Sequence, residues 1–121
     1  MRILWVENHS SFIRVVARRF LGGHELTIVP SLEGGRAAME AGAFDAALVD
    51  YDLDDGKGDD LVRELRRAFP RLGIVATSSH EDGNRALVVA GADVICGKLE
   101  FDGIAKVLEK LVNRKSGRPK T

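Results

Sequence analysis

Four short segments of this chain carry residue types suited to charged-oxygen chemistry: Glu7-Asn8, Asp50, Thr77-Ser78-Ser79 and Lys98. Clustered carboxylate and amide oxygens suit a hard cation such as Mg²⁺, which prefers oxygen ligands. A lysine ammonium neutralises the oxygens of a phosphoryl group in transfer, and a hydroxyl can hydrogen-bond one of them. A carboxylate held beside the cation can act as nucleophile and form an acyl phosphate. No His or Cys nucleophile pair competes for that role. His24 and His80 have no metal-ligand spacing with each other or with Cys96. Asp52, Asp54 and Asp55 follow Asp50 closely, and Asp55-Gly56 reads as a turn. The Asp52 side chain is expected near the site entrance, where it would influence water attack on an acyl phosphate.

These residues do chemistry together only if the fold gathers them. Short apolar runs alternate with longer amphipathic stretches. Ile3 to Val6, Leu26 to Val29, Ala46 to Val49, Gly73 to Thr77 and Val94 to Cys96 read as strands. Four of them show no clear polar alternation, as expected for parallel strands buried on both faces. Helical spacing appears over Phe12 to Phe20, closed by Gly22-Gly23, and over Glu33 to Ala41. It recurs at Leu61, Leu65 and Ala68 before Pro70, over Asn84 to Ala90 before Gly91, and at Ile104, Val107, Leu108 and Leu111. Ser10 is expected to cap the first helix. Five strands alternating with five helices imply right-handed βαβ units in an α/β three-layer sandwich. In such open sheets functional groups gather beyond the carboxyl ends of the strands. Glu7-Asn8, Asp50, Thr77-Ser78 and Gly97-Lys98 stand at four such ends.

The chain's 121 residues fit one domain, and 45% hydrophobic residues suffice for a core. A formal net charge of zero argues against a nucleic-acid-binding surface over the whole domain. No stretch approaches the ~20 apolar residues of a membrane span. The N-terminus is too briefly apolar for a signal peptide. The single cysteine, Cys96, excludes an internal disulfide and fits a reducing compartment. A cytoplasmic protein is therefore expected, with one domain over residues 1–114. Residues 115–121 read as a basic tail or the start of a linker.

From about Arg2 to Val112 the chain resembles the receiver domain family of bacterial two-component response regulators. ILWVENH, Ile3 to His9, is similar to the family's opening strand with its acidic pair. FDAALVDYDLDDGKG, Phe44 to Gly58, resembles the phosphoacceptor segment, with Asp50, then Leu53, then Gly58. FPRLGIVATSS, Phe69 to Ser79, resembles the strand with the switch hydroxyl, and AGADVICGK, Ala90 to Lys98, the strand that delivers the lysine. The resemblance implies a flavodoxin-like (βα)5 fold with a five-stranded parallel sheet in the order 2-1-3-4-5.

It further implies that Asp50 accepts a phosphoryl group from a sensor histidine kinase or phosphotransfer protein. Glu7, Asn8, Asp50 and the backbone carbonyl of Asp52 would surround Mg²⁺. Lys98 would contact a phosphoryl oxygen and Ser78 would follow the phosphoryl group, with Thr77 the other candidate hydroxyl. The first helix, which carries Arg14, Arg18 and Arg19, would dock the kinase. A downstream effector protein or domain would read the altered surface, and homodimerisation is a further expectation. Direct nucleic-acid or membrane binding is not.

Four departures from the family pattern bear on this. Asn8 replaces an acidic metal ligand, which should weaken Mg²⁺ binding. Leu99 replaces the usual Pro after the lysine. Ile95 fills the aromatic switch position. The loop after the fourth strand is about two residues short. Asn8 therefore keeps open a pseudo-receiver, an interaction module without phosphoryl chemistry. A third alternative is a phosphatase of the haloacid dehalogenase class, suggested by Asp50-Tyr51-Asp52. That class needs a longer chain and an earlier strand for the motif.

Overall fold

A computed structural model describes residues 1–116. The apolar runs pair into one five-stranded parallel sheet. Its strands are β1 (Arg2–Val6), β2 (Glu25–Val29), β3 (Ala46–Val49), β6 (Gly73–Ala76) and β7 (Val94–Ile95). Between β3 and the next helix lies an unanticipated small antiparallel hairpin, β4 (Asp52–Leu53) and β5 (Gly56–Lys57). The sheet order is β2-β1-β3-β6-β7, which is 2-1-3-4-5 when the hairpin is left uncounted. The helices are α1 (Ser10–Phe20), α2 (Leu32–Ala41), α3 (Gly58–Ala68), α4 (Glu81–Ala90) and α5 (Ile104–Lys115), the last entered through a 3-10 helix at Lys98–Gly103. The α/β three-layer, flavodoxin-like architecture thus stands as expected.

Burial on both faces is confined to the three central strands, β1, β3 and β6, rather than the four expected. β2 has no fully buried residue: Leu26 and Val29 are half-buried, and Glu25, Thr27 and Ile28 are exposed. The reason is position: it forms one edge of the sheet and has a neighbour on one side only. Period-two alternation sorts the central strands' side chains into two cores. Leu4, Val6, Ala47, Val49, Ile74 and Ala76 meet α2 through Leu32 and Met39, α3 through Leu61, Val62 and Leu65, and α4 through Leu87. Ile3, Trp5, Leu48 and Val75 meet α1 and α5 through Val16, Leu108 and Leu111. Val15, in the apolar pattern of α1, is 61% exposed.

Helix ends follow local chemistry, with two surprises. Gly91 closes α4 at φ +130°, as its place after Ala90 suggests. His9, not Ser10, caps α1: its Nδ1 accepts the Phe12 N–H at 3.2 Å, while Ser10 is already the first helical residue. Asp55 is more than a turn residue. Its carboxylate accepts the N–H groups of Leu32 and Glu33 at 2.7 and 3.1 Å, capping α2 from the hairpin. Those two bonds hold its carboxyl below the usual range.

Arg66, which the pattern on α3 places on a solvated face, instead staples the far end of the sheet. It donates to the carbonyls of Gly91, Pro70 and Leu72 and to the Asp93 carboxylate. Asp93 also accepts the Ile74 N–H and pairs with Lys115 at 2.7 Å. Burial opposes the charged form of Asp93, but these partners outweigh it and lower its pKa. Lys115, placed by the sequence at the start of the basic tail, therefore closes α5. Residues 117–121 of that tail lie outside the described residues. Among those described, no helix is long and apolar enough to cross a membrane.

Candidate functional site

The ladder carries the site residues one step past each strand end. Glu7 N–H donates to Val29 O, Asp50 N–H to Val6 O and Thr77 N–H to Val49 O, at 2.9 to 3.1 Å. Glu7, Asp50 and Thr77 therefore continue the pleat of Trp5, Leu48 and Val75 and face the α1–α5 side. From the other strand end, Lys98 reaches into the same corner. Its Nζ lies 3.0 Å from Glu7 Oε2 and 3.5 Å from Asp50 Oδ2. Lys98 thus meets Glu7 and Asp50, residues 91 and 48 positions away from it in the chain.

Two residues unmarked by the sequence reading support this corner. Phe12 on α1 presents its ring 5.2 Å from Lys98 Nζ, a cation–π contact. Phe12 in turn packs edge-on against Trp5 and Phe101, which stack on each other at 5.2 Å. Asp54 accepts a 3.0 Å hydrogen bond from Asn8 Nδ2, tying the loop after β1 to the hairpin. An aromatic three residues into a helix reads as core, and an Asp in a turn reads as turn chemistry, so neither was visible beforehand. Asp52 pairs with Lys57 across the hairpin, and Lys57 lies over the Tyr51 ring.

The hydroxyls separate by parity. Ser78 follows Thr77, so its side chain turns to the opposite face, against Gly83 and Tyr51. Its Oγ accepts the His80 N–H at 3.1 Å. Thr77 Oγ1 is fully buried and has no hydrogen-bond partner. Cys96 is buried against the aromatic cluster, and burial raises its thiol pKa, as for a core residue.

The electrostatics are unbalanced. Two buried carboxylates, Glu7 and Asp50, share one ammonium. Burial pushes the Glu7 carboxyl up to about 7, the Asp50 charge adds to this, and Lys98 opposes it. Glu7 Oε2 accepts from Lys98 and from the His9 N–H, while Oε1 is buried without a partner. Among the described residues no group of three or more His, Cys, Asp or Glu gathers as a metal cluster. The donors that do converge are oxygens, one of them unsatisfied, with negative charge in excess. That set fits a hard divalent cation.

The raised Glu7 pKa makes a stability prediction for the metal-free protein. The folded state binds this proton more tightly than the unfolded chain, whose carboxyl titrates near 4.5. Its stabilising effect is complete below that value and disappears as pH rises through about 7. The full swing is on the order of 3 kcal/mol. In chelator, Glu7→Gln should melt higher than the parent at pH 8 and lose the parent's decline between pH 5 and 8. Parallel thermal melting curves against pH for the two proteins would contradict the charge assignment.

No family model matches the chain. It is 30% identical over 122 residues to the two-component response regulator PhoP of Pseudomonas aeruginosa, a match spanning 97% of this chain and 54% of that protein. The chain thus spans about half the length of that relative. Among solved structures it is similar to a CheY-like response regulator receiver domain protein from Methanospirillum hungatei. That pair has a TM-score of 0.81 and 24% identity, covering 96% of each chain. The Thermotoga maritima response regulator TrrA, solved in complex with Mg²⁺-BeF, gives 0.81 at 20% identity, covering 91% of this chain and 97% of that one. NtrX from Brucella abortus gives 0.84 at 22% identity, over 95% of this chain and 28% of its own. These structures share the fold.

Proposed function

We propose that this chain, a response-regulator receiver domain, is a phosphoacceptor switch in which Asp50 takes a phosphoryl group from a phosphohistidine. The donor would be a sensor histidine kinase or phosphotransfer protein, and the reader a downstream effector protein or domain, in the cytoplasm. The observation that carries the reading is the convergence of Lys98 Nζ on both Glu7 and Asp50 at 3.0 and 3.5 Å.

An Asp50 oxygen attacks phosphorus in line with the P–N bond. The new P–O bond forms an acyl phosphate, and the imidazole nitrogen leaves with the bonding pair and takes up a proton. Lys98, already at hydrogen-bond reach of Asp50, meets a transferring phosphoryl oxygen with its ammonium. Phe12 lines the other side of that ammonium and limits where it can go. Glu7, Asp50, the Asn8 side-chain oxygen and the Asp52 backbone carbonyl would hold Mg²⁺. When bound, that ion supplies charge neutralisation for the phosphoryl oxygens. Asn8 contributes no charge, so Mg²⁺ should bind more weakly than it would with a carboxylate at this position.

Thr77 Oγ1 is buried and unpartnered, whereas Ser78 Oγ already serves the His80 N–H. We therefore assign the switch hydroxyl to Thr77 in place of Ser78. Phosphorylation adds charge and acceptor oxygens, and drawing Thr77 toward them displaces the loop after β6. The test is the rate of labelling by acetyl phosphate with Mg²⁺, read by mass spectrometry. Thr77→Val should slow it by about tenfold, and Ser78→Ala should change it far less. The reverse ranking returns the role to Ser78. A parent chain that takes no label with saturating Mg²⁺ is instead a pseudo-receiver. Turnover of a generic phosphomonoester would point to the phosphatase alternative.

A further inference from the structure

We propose that Asn84 is a positioning residue for the Thr77 hydroxyl, its buried carboxamide clamping the backbone of Ser78 and so fixing the loop between β6 and α4. The inference rests on the reading of Asp50 as phosphoacceptor and Thr77 as its hydroxyl partner.

Asn84 is 6% exposed and Ser78 is 2% exposed. Asn84 Oδ1 accepts the Ser78 N–H at 2.8 Å, and Asn84 Nδ2 donates to the Ser78 carbonyl at 2.9 Å. One side chain thus satisfies both backbone groups of one residue, as a neighbouring strand would. A carboxamide is suited to this because it offers an acceptor and donors side by side. Asp lacks the donor and Ala lacks both. In the first turn of a helix an Asn usually serves its own helix end. Here it turns outward to the loop instead, and His80 begins α4 with no side-chain cap.

The clamp fixes one side of Thr77. The other side is fixed by the Thr77 N–H bond to Val49 O at 3.1 Å. The hydroxyl therefore hangs between two anchored points, with its own oxygen buried and unpartnered. Close approach of α4 makes the clamp possible. At Gly83 an added Cβ would sit 2.8 Å from Ser78 Oγ and 3.0 Å from Tyr51 Cβ. The same amide borders the turn that delivers Lys98, since a Cβ on Gly97 would lie 3.5 Å from Ser78 O and 3.8 Å from Asn84 Nδ2. Asn84 thus stands between the loops that carry the hydroxyl and the ammonium. Holding such groups in place beforehand is what makes them effective toward developing charge.

The experiment is a double-mutant cycle on the acetyl phosphate labelling rate of Asp50 with Mg²⁺. Asn84→Ala should slow labelling about tenfold in the parent background. In a Thr77→Val background, where the hydroxyl is gone, it should add little. Asn84→Asp, which keeps the shape and the acceptor but loses the donor, should fall between parent and Asn84→Ala. It carries the same cycle if Asn84→Ala does not fold. An undiminished rate in both Asn84 variants overturns the proposal, as does the same tenfold loss with and without Thr77, which marks a merely structural role. Absence of label on the parent chain would sink the phosphoacceptor reading itself, a distinct outcome.

Discussion

Asp50→Ala should take up no phosphoryl group from acetyl phosphate and Mg²⁺, where the parent chain takes up one by mass spectrometry. The effect is complete because the substitution removes the carboxylate that forms the new bond. Neighbouring carboxylates offer no substitute. Glu7 is buried under Lys98 with its pKa raised to about 7, and Asp52 is tied to Lys57 on the hairpin. Asp50→Ala should also fold. It relieves the repulsion between Asp50 and Glu7, leaves Lys98 paired to Glu7, and lowers the Glu7 pKa toward the ordinary carboxylate range. Persisting label in a folded Asp50→Ala protein would place the nucleophile elsewhere and undo the assignment of this corner.

Gly58→Ala carries the next largest effect, and it acts through the backbone. Gly58 opens α3, and its N–H donates to Tyr51 O at 2.6 Å. A Cβ at Gly58 would lie 1.9 Å from the Asp50 carbonyl oxygen and 3.1 Å from Val49 Cγ1. No rotamer relieves a clash with a backbone carbonyl, here that of the residue immediately after β3. Either α3 or the end of β3 must move. The expected loss is about 3 kcal/mol, at the top of the overpacking range. Thermal unfolding should drop by roughly 10 °C. Because the displaced atom belongs to Asp50 itself, labelling should fall as well. Gly23→Ala is the control: nothing lies within 4 Å of its added Cβ, so it should stay within about 0.5 kcal/mol of the parent. Equal melting temperatures for the Gly58→Ala and Gly23→Ala proteins would show that the close approach at Gly58 is wrong.

Gly58 also shows how one residue belongs to pattern and structure at once. The sequence marks it only as a glycine at a fixed distance after Asp50. The structure gives the cause: the helix must start against the carbonyl of the acceptor residue, and only a residue without a Cβ fits there.

The sheet order entered only through the family resemblance, but the alternation of strands and helices and the meeting of Glu7, Asp50 and Lys98 at strand ends are legible in the sequence itself. These follow from periodicity and from the rule that strand ends share one rim, so the chain can be read in one dimension. Tertiary structure alone decided what depended on the partners each group meets. At the end of β6, Thr77 Oγ1 is buried without a partner while Ser78 Oγ accepts the His80 N–H, and counting along a loop cannot say which hydroxyl is already engaged. Asp55 capping α2, Arg66 stapling Asp93, Phe12 beneath Lys98 and Asn84 clamping Ser78 are polar or aromatic groups whose roles lie in what approaches them. A side chain's type limits the bonds it can make, and only packing in three dimensions selects which of them form.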